Sequence, residues 1–240
     1  MHKPKLILAS ASIGRKSLLT KLGVPFSILP STINEDIITH SNPYKTLQLR
    51  ARAKAEDVTQ KITLNSKLRT HNYLIIAADS MAVLGNKTYG KAKDKADAKR
   101  IISKLMGKTH VFATATCIIH LASPIISRAV EESVTAQDTS DGDPANPYIS
   151  NEGADSSEVD NYRELNRWED ISKSRVTLGK LDASSLEEYV SRYNFTRFAA
   201  GYALNETPWD LVTKIDGSYT NVIGLPFEIL LPILFRLKII

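Results

Sequence analysis

One stretch near the start of the sequence constrains the fold more than any other feature. It consists of an apolar strand, a short segment of small hydroxyl residues and the beginning of a basic helix with leucines on one face. The stretch is residues 6–19, LILASASIGRKSLL. Residues 6–8 predict a buried strand, and the small side chains of Ser10 and Ser12 let the backbone approach a ligand. Unpaired amides in the first turn of the helix favour an anion there, and Arg15 and Lys16 add positive charge. An ordinary strand-to-helix turn with Ser12 as its N-cap fits the same residues.

Short apolar strands alternate with helical periodicity from residue 6 to about residue 121, which is typical of an α/β core. The predicted strands are residues 6–8, 26–29, 73–78 and 111–121, and the predicted helices are residues 13–21, 44–61 and 95–106. Structured sequence resumes with a strand at residues 175–178, a helix that ends near Tyr193 and a terminal helix after Pro226. We therefore expect a single domain over residues 1–240.

The composition changes abruptly beyond Pro124. Residues 129–170 contain twelve Asp or Glu against two Arg, although the whole chain has a formal net charge of +5. Because residues 127–172 have few apolar side chains to offset the entropy of ordering, they predict an acidic, disordered or loosely packed insertion within the domain. The rest of the chain is strongly basic, and a basic surface attracts polyanions.

Length and composition exclude several classes of protein. At 240 residues with 42% hydrophobic side chains, the chain is long enough to bury a sizeable core. Its apolar runs are too short for a signal peptide or a membrane span, so we expect no membrane partner. The single cysteine, Cys117, excludes an intramolecular disulfide and fits a cytoplasmic protein. Aromatic residues do not interleave with Lys and Arg, so no specific nucleic-acid partner is expected.

Acidic and basic side chains follow the ends of several predicted strands. Asp79 ends the strand at residues 73–78, so its carboxylate is expected at the carboxyl edge of the sheet, where such folds place ligands. Glu35 follows another strand, Lys54 lies on a helix, and Lys91 follows a predicted hairpin. Hydrolysis of a phosphoanhydride needs carboxylates for a hard metal ion and for water, and cations for the phosphate oxygens. Taken singly, Asp79 also fits a capping residue, and each lysine also fits a solvated surface charge.

Four motifs resemble those of the Maf family of nucleoside triphosphate pyrophosphatases, also described as septum-formation inhibitors. Residues 8–19, LASASIGRKSLL, are similar to the family's LASxSPRRxxLL, and residues 217–226, GSYTNVIGLP, are similar to its GSYxNVVGLP. Residues 76–80, IAADS, resemble its GADT, and residues 90–94, GKAKD, resemble its GKPxD. The resemblance covers about residues 5–122 and 175–234 and leaves the acidic insertion outside.

The resemblance implies cleavage of a nucleoside or deoxynucleoside triphosphate to its monophosphate and pyrophosphate, with a divalent cation, Mg²⁺ or Mn²⁺. It assigns Asp79 as the catalytic carboxylate and proton acceptor, and Asp79 with Glu35 as metal ligands. The expected substrate-binding residues are Ser10, Ser12, Arg15, Lys54, Ser80, Lys91 and Asn205. The implied fold is a mixed, twisted sheet with flanking helices and two lobes around a central cleft, as in inosine triphosphatases. A cytoplasmic homodimer is also implied.

Three residues depart from the family at positions that select the substrate. The subgroup that prefers dTTP and UTP has Arg, Thr and Gln where this chain has Gly14, Ser80 and Asn205, and the subgroup that prefers 7-methyl-GTP has Trp, Gln and Glu. This chain matches neither set, so the preferred base stays open. Gly14 and the acidic insertion leave an alternative function open, a nucleotide-binding regulator of cell division or septum formation with weakened catalysis.

Overall fold

A mixed β-sheet forms the centre of the computed structural model, which describes residues 3–65, 71–123, 162–192, 197–204 and 211–240. Its strands in these ranges are β1 (Lys5–Leu8), β2 (Phe26–Ile28), β3 (Tyr73–Leu84), β4 (Lys87–Tyr89), β5 (Thr109–Ala122), β6 (Arg163–Leu178) and β7 (Val212–Asp216). The order is β2-β1-β3-β5-β6-β7, and β4 pairs with β3. The strands β2, β1 and β3 are parallel, whereas the other pairs are antiparallel. The predicted mixed α/β class is confirmed.

Helices cover both faces of this sheet. Within the described ranges they are α1 (Ile13–Leu22), α2 (Pro43–Thr63), α3 (Lys95–Leu105), α4 (Ala183–Arg192), α5 (Tyr219–Ile223) and α6 (Phe227–Arg236). Their starts follow local chemistry, since the side chain of Asn42 caps α2 and that of Asp94 caps α3. No helix of the described residues has both the length and the apolar composition needed to cross a membrane.

Alternate residues of the strands pack against different helices, because successive side chains point to opposite faces of a sheet. On one face, Ile75 and Ile119 pack with the apolar side of α2. On the other face, Ile76 and Ile118 pack with α1 and α6 at one end. At the other end of that face, Phe112 belongs to a separate apolar cluster with α3 and α4. The strip of sheet between these two clusters carries polar side chains.

The sheet has a notch, which we define as residues 77–81 of β3. On the β1 side of β3, the pairing with β1 ends at Ile76, and the pairing with β4 begins at Ala82. Among the described strands, none pairs with the notch on that side. The sequence had predicted that the strand ends at Asp79, and this prediction is wrong. β3 continues to Leu84 because it pairs with its long antiparallel partner β5. Asp79 lies instead just beyond the carboxyl end of β1, so its side chain is still beside the end of the parallel strands.

The predicted insertion ends earlier than the composition indicated. Residues 163–172 belong to β6, so the strand predicted at residues 175–178 begins twelve residues before that point. They pair with β5, and their charges meet the outer face of α2, where Arg52 binds both carboxylate oxygens of Glu169 at 2.8 and 2.6 Å. The charged side chains of residues 163–172, which were interpreted as a sign of disorder, thus include ion-pair partners of α2. The remainder of the predicted insertion, residues 127–161, lies outside the described residues.

Candidate active site

Asp79 lies in the notch on the face of the sheet that α2 covers. Its side chain is almost buried, and its Oδ1 accepts a hydrogen bond of 2.8 Å from Nζ of Lys54. Lys54 reaches Asp79 because α2 packs along the sheet with this lysine on its buried side. Buried lysines are rare unless they are paired, and here Asp79 is the partner. The pair therefore places a carboxylate and an ammonium side by side at the mouth of the notch.

Glu35 completes a group of three charges. Its Oε2 lies 2.7 Å from Nζ of Lys54, so one ammonium holds two carboxylates. Glu35 begins a short 3₁₀ helix, Glu35–Ile37, which follows β2 and is capped by Asn34. Partial burial alone would raise the pKa of Glu35, but the charge and hydrogen bond of Lys54 outweigh burial and hold it below its ordinary value.

Asp79 and Glu35 are the described residues whose carboxylates could hold a small divalent metal ion. Both carry hard oxygen donors and lie close together, since each binds Nζ of Lys54. Mg²⁺ is commonly bound by one or two carboxylates together with substrate phosphates. Among the described residues no group of three or more His, Cys, Asp or Glu forms a self-contained metal site. A metal held by these two residues would therefore need further ligands from phosphate oxygens and water.

Arg15 lies on the other side of the notch, at the start of α1. It is buried, and its guanidinium group is held by three acceptors from three segments. Nε donates to the carbonyl oxygen of Gly224 at 2.8 Å, Nη1 to Oγ of Ser10 at 3.0 Å and Nη2 to Oγ of Ser80 at 3.1 Å. Burial lowers the pKa of Arg15, and the charges of the two carboxylates oppose that effect, so Arg15 is electrostatically coupled to Asp79 and Glu35.

The turn before α1 keeps anion-binding groups free. Ser12 occupies the N-cap position, but its side chain makes no capping hydrogen bond. Its backbone N–H donates to Oγ of Ser10 at 3.2 Å, and the first helical hydrogen bond runs from the N–H of Lys16 to the carbonyl of Ser12. The amides that precede Lys16 in the first turn therefore suit a phosphate oxygen. Ser12 is thus the N-cap residue, as the alternative interpretation expected, but its side chain does not cap the helix.

Lys91, which follows β4, is electrostatically coupled to the same group of charges. Its pKa is lowered first by the partial burial of its ammonium group and then by the positive charge of Arg15. The loop that carries it is braced, because the carbonyl of Gly90 accepts a hydrogen bond of 2.7 Å from Ala200 and Lys91 forms a β-bridge with Ala199. The structure thus brings together all the predicted site residues that it describes, and Asn205 lies outside the described residues.

Three contributors to the site were not identified from the sequence. Gly224 supplies the acceptor for Nε of Arg15, and Thr114 binds Ser80, with 2.9 Å between the two hydroxyl oxygens. Asn221 fixes α5 to the sheet through two hydrogen bonds. Its side-chain Nδ2 donates to the backbone carbonyl of Phe112, and its backbone carbonyl accepts from the hydroxyl of Thr114. The motif at residues 217–226 contains both Gly224 and Asn221 and could have pointed to them. By itself, however, it indicated only a tight turn into the last helix.

The chain is similar to proteins of one family over most of its length. A family model described as Maf-like protein matches residues 5–157 and 154–237. A dTTP/UTP pyrophosphatase from Pyrococcus furiosus is 31% identical over 232 residues, which cover 96% of this chain and 94% of that protein. A nucleoside triphosphate pyrophosphatase from Synechococcus sp. is 27% identical over 227 residues, which cover 94% of this chain and 96% of that protein. The first matched segment reaches residue 157, so the similarity extends farther than the motifs indicated.

Proposed function

This chain belongs to the Maf family, and on that premise we propose that it is a nucleoside triphosphate pyrophosphatase. It hydrolyses a nucleoside or deoxynucleoside triphosphate to its monophosphate and pyrophosphate. The observation that carries the proposal is the group formed by Asp79, Lys54 and Glu35, which lies in the notch beside Arg15. The names of the relatives, dTTP/UTP pyrophosphatase and nucleoside triphosphate pyrophosphatase, support the same reaction.

In the proposed reaction Asp79 orients a water molecule and accepts one of its protons. The water oxygen forms a bond to the α-phosphorus, and the bond from that phosphorus to the bridging oxygen of the departing pyrophosphate breaks. Lys54 holds the carboxylate of Asp79 in place through its 2.8 Å hydrogen bond. Arg15 and Lys91, together with the amides at the start of α1, neutralise and orient the triphosphate oxygens.

We propose that Asp79 and Glu35 hold a divalent metal ion, Mg²⁺ or Mn²⁺. When bound, the metal would withdraw charge from the triphosphate oxygens. The donor set supports this choice, since two carboxylates leave coordination positions for substrate oxygens and water. The expected homodimer and cytoplasmic location stay predictions from the family resemblance, and light scattering of the purified protein tests the first of them.

Pyrophosphate release from a panel of triphosphates that includes dTTP, UTP and GTP, with Mg²⁺ or Mn²⁺, tests the function. The parent protein is expected to turn over at least one of them, and Asp79→Asn is expected to lose most of that turnover. In water labelled with a heavy oxygen isotope, attack at the α-phosphorus places the label in the monophosphate. Label in pyrophosphate would contradict that step, and tight binding without pyrophosphate would favour the alternative of a regulator with weakened catalysis.

A further inference from the structure

A chain of hydroxyl groups connects Arg15 to α5 through the polar strip of the sheet. Nη2 of Arg15 lies 3.1 Å from Oγ of Ser80, and that oxygen lies 2.9 Å from Oγ1 of Thr114. Thr114, which is fully buried on β5, in turn donates to the carbonyl oxygen of Asn221 at 3.0 Å. Each hydroxyl therefore has a partner on both sides.

The backbone carbonyl group of Asn221 determines which group donates and which accepts in every hydrogen bond of this hydroxyl chain. A carbonyl oxygen only accepts, so the single hydroxyl hydrogen of Thr114 is committed to Asn221. Thr114 must then accept from Ser80, which commits the only hydroxyl hydrogen of Ser80. Since guanidinium nitrogens only donate, the oxygen of Ser80 accepts from Arg15. With this arrangement Ser80 has no hydrogen left to offer to a ligand.

Ser10 shows the opposite arrangement. Its Oγ accepts from the backbone N–H of Ser12 and from Nη1 of Arg15, and its own hydrogen has no acceptor among the described residues. Oxygens of a fully ionised, metal-bound triphosphate are acceptors, so Ser10 can donate to them whereas Ser80 cannot. Of the two serines that bind Arg15, only Ser10 is therefore equipped to contact phosphate directly.

We propose that Ser80 and Thr114 are positioning residues that act on the triphosphate only through Arg15. The inference rests on the proposed function and assigns Ser80 a role different from the direct substrate contact expected from the sequence. Arg15 has five N–H bonds, of which three are fixed by Gly224, Ser10 and Ser80. The remaining two have no partner among the described residues, and the fixed three hold them in one orientation for phosphate oxygens.

Inorganic tripolyphosphate is the decisive probe, because it carries the phosphate chain but no base or sugar. Its affinity, measured by calorimetry with Mg²⁺, is expected to fall about fivefold in Ser80→Ala and in Thr114→Val, the usual effect of losing one orienting hydrogen bond. Thr114→Ser restores the hydroxyl and is expected to restore the affinity. Thr116→Val is the matched control, since Thr116 is buried two residues along the same strand and its hydroxyl donates to the carbonyl oxygen of Asp170 rather than to Ser80 or Arg15.

A double-mutant cycle tests whether Thr114 acts through Ser80. If it does, Thr114→Val causes no further loss of tripolyphosphate affinity in a protein that already carries Ser80→Ala, and additive losses would overturn the proposal. The KM values for UTP and GTP should rise by the same factor in each variant, whereas a rise for one base only would show that Ser80 contacts the base. Thermal melting confirms that each variant is folded.

These outcomes are separate from those of the proposed function. Binding of tripolyphosphate requires no turnover, so the hydroxyl chain is tested even if the parent protein releases no pyrophosphate. Parent turnover combined with unchanged affinity in Ser80→Ala and Thr114→Val would reject the positioning role and leave the proposed function standing. No turnover combined with the expected affinity losses would reject the function and leave the positioning role of both residues intact.

Discussion

Nζ of Lys54 and Oδ1 of Asp79 form a 2.8 Å ion pair in which both side chains are at most one-tenth exposed. A buried pair of this kind is costly to break, because removing one partner leaves an uncompensated charge away from water. Glu35 shares the same ammonium, so Lys54 prevents direct repulsion between two carboxylates. The structure thus makes one residue responsible for both the stability and the geometry of the site.

Lys54→Met is therefore expected to lower both activity and stability. Loss of the ammonium should reduce kcat by about 100-fold, as for removal of one electrostatic group from an active site. The free energy of unfolding should fall by about 3 kcal/mol near neutral pH, because two carboxylates lose their shared partner. Pyrophosphate release and urea denaturation measure the two effects.

Lys61→Met is the matched control for that variant. Lys61 lies on the same helix and pairs with Asp57 at 2.8 Å, but this pair is more exposed than the pair of Lys54 and Asp79. Because a partly exposed ion pair contributes less than a buried one, the free energy of unfolding should fall by about 1 kcal/mol, less than in Lys54→Met. Equal losses of stability in the two variants would contradict the special role of Lys54.

Glu35→Gln should raise the Mg²⁺ concentration that the reaction needs, without abolishing the reaction. The amide keeps the size of the side chain but removes one charged oxygen ligand, so the Mg²⁺ concentration for half-maximal activity is expected to increase about tenfold or more. Chelation with EDTA should stop pyrophosphate release in the parent protein, and added Mg²⁺ or Mn²⁺ should restore it. An unchanged Mg²⁺ dependence in Glu35→Gln would remove this residue from the metal site.

Part of this site was predictable from local sequence, because apolar runs, capping residues and glycine turns are local signals. The start of α1 and the caps Asn42 and Asp94 depend on adjacent residues, and the apolar runs located most of the strands. Non-local pairing was not predictable in the same way. β3 passes through Asp79 because β5 is long enough to pair with it, and nothing within residues 73–84 alone records that partner.

The same limit explains the residues that the sequence did not identify. Thr114 is one of several small residues in an apolar strand, and its contact with Ser80 depends on the register between β3 and β5. The carbonyl of Gly224 acts through the backbone, so its side chain gives no signal. The acidic character of residues 163–172 was misleading for a related reason, since Arg52 and Glu56, which bind Glu169 and Arg167, lie more than 100 positions away in the sequence.

Stability should decrease as the pH falls, because His110 is buried without charge. Its Nε2 lies 2.8 Å from the hydroxyl of Tyr202, and burial lowers its pKa to about 4. The unfolded chain takes up a proton near the ordinary pKa of about 6.5, whereas the folded protein does not until about pH 4. Between these values the free energy of unfolding should fall by up to about 3 kcal/mol.

Urea denaturation at several pH values between 7.5 and 4.5 measures this loss. His110→Gln should make the free energy of unfolding less dependent on pH over that range, since glutamine takes up no proton. Tyr202→Phe is the informative control, because burial is the cause of the low pKa of His110 and the phenyl ring keeps that burial. The pH dependence should therefore persist in Tyr202→Phe, and its loss there would assign the effect to the hydroxyl group instead.

Lys238→Gly should stabilise the end of α6. Lys238 has a left-handed backbone, with φ of 53°. Its N–H bonds to the carbonyl of Phe235, and the N–H of Ile239 bonds to that of Leu234, which is the pattern of a Schellman motif. Glycine removes the Cβ strain at this position, so the free energy of unfolding should rise by about 1 kcal/mol. Thermal melting should show a higher Tm with unchanged KM.

Gly14→Ala is expected to destabilise the protein, although alanine is the better helix former by about 1 kcal/mol. A Cβ at residue 14 would lie 2.9 Å from the carbonyl oxygen of Ile223, which is closer than real Cβ contacts allow. That oxygen belongs to the backbone at the end of α5, so it cannot rotate away like a side chain. The overlap should lower the free energy of unfolding by about 1 to 2 kcal/mol, as for an overpacked core position.

The same contact links residue 14 to substrate binding. Ile223 precedes Gly224, whose carbonyl holds Nε of Arg15, so a shift of α5 loosens that arginine and should raise the KM for the triphosphate. Gly14→Arg should therefore fail to raise dTTP turnover, although the motif resemblance implies an arginine at this position in the subgroup that prefers dTTP and UTP. Thr20→Ala, at an exposed position of α1, is the control and should leave KM unchanged. A folded Gly14→Ala protein with parental Tm and KM would show that α1 and α5 can move apart without cost.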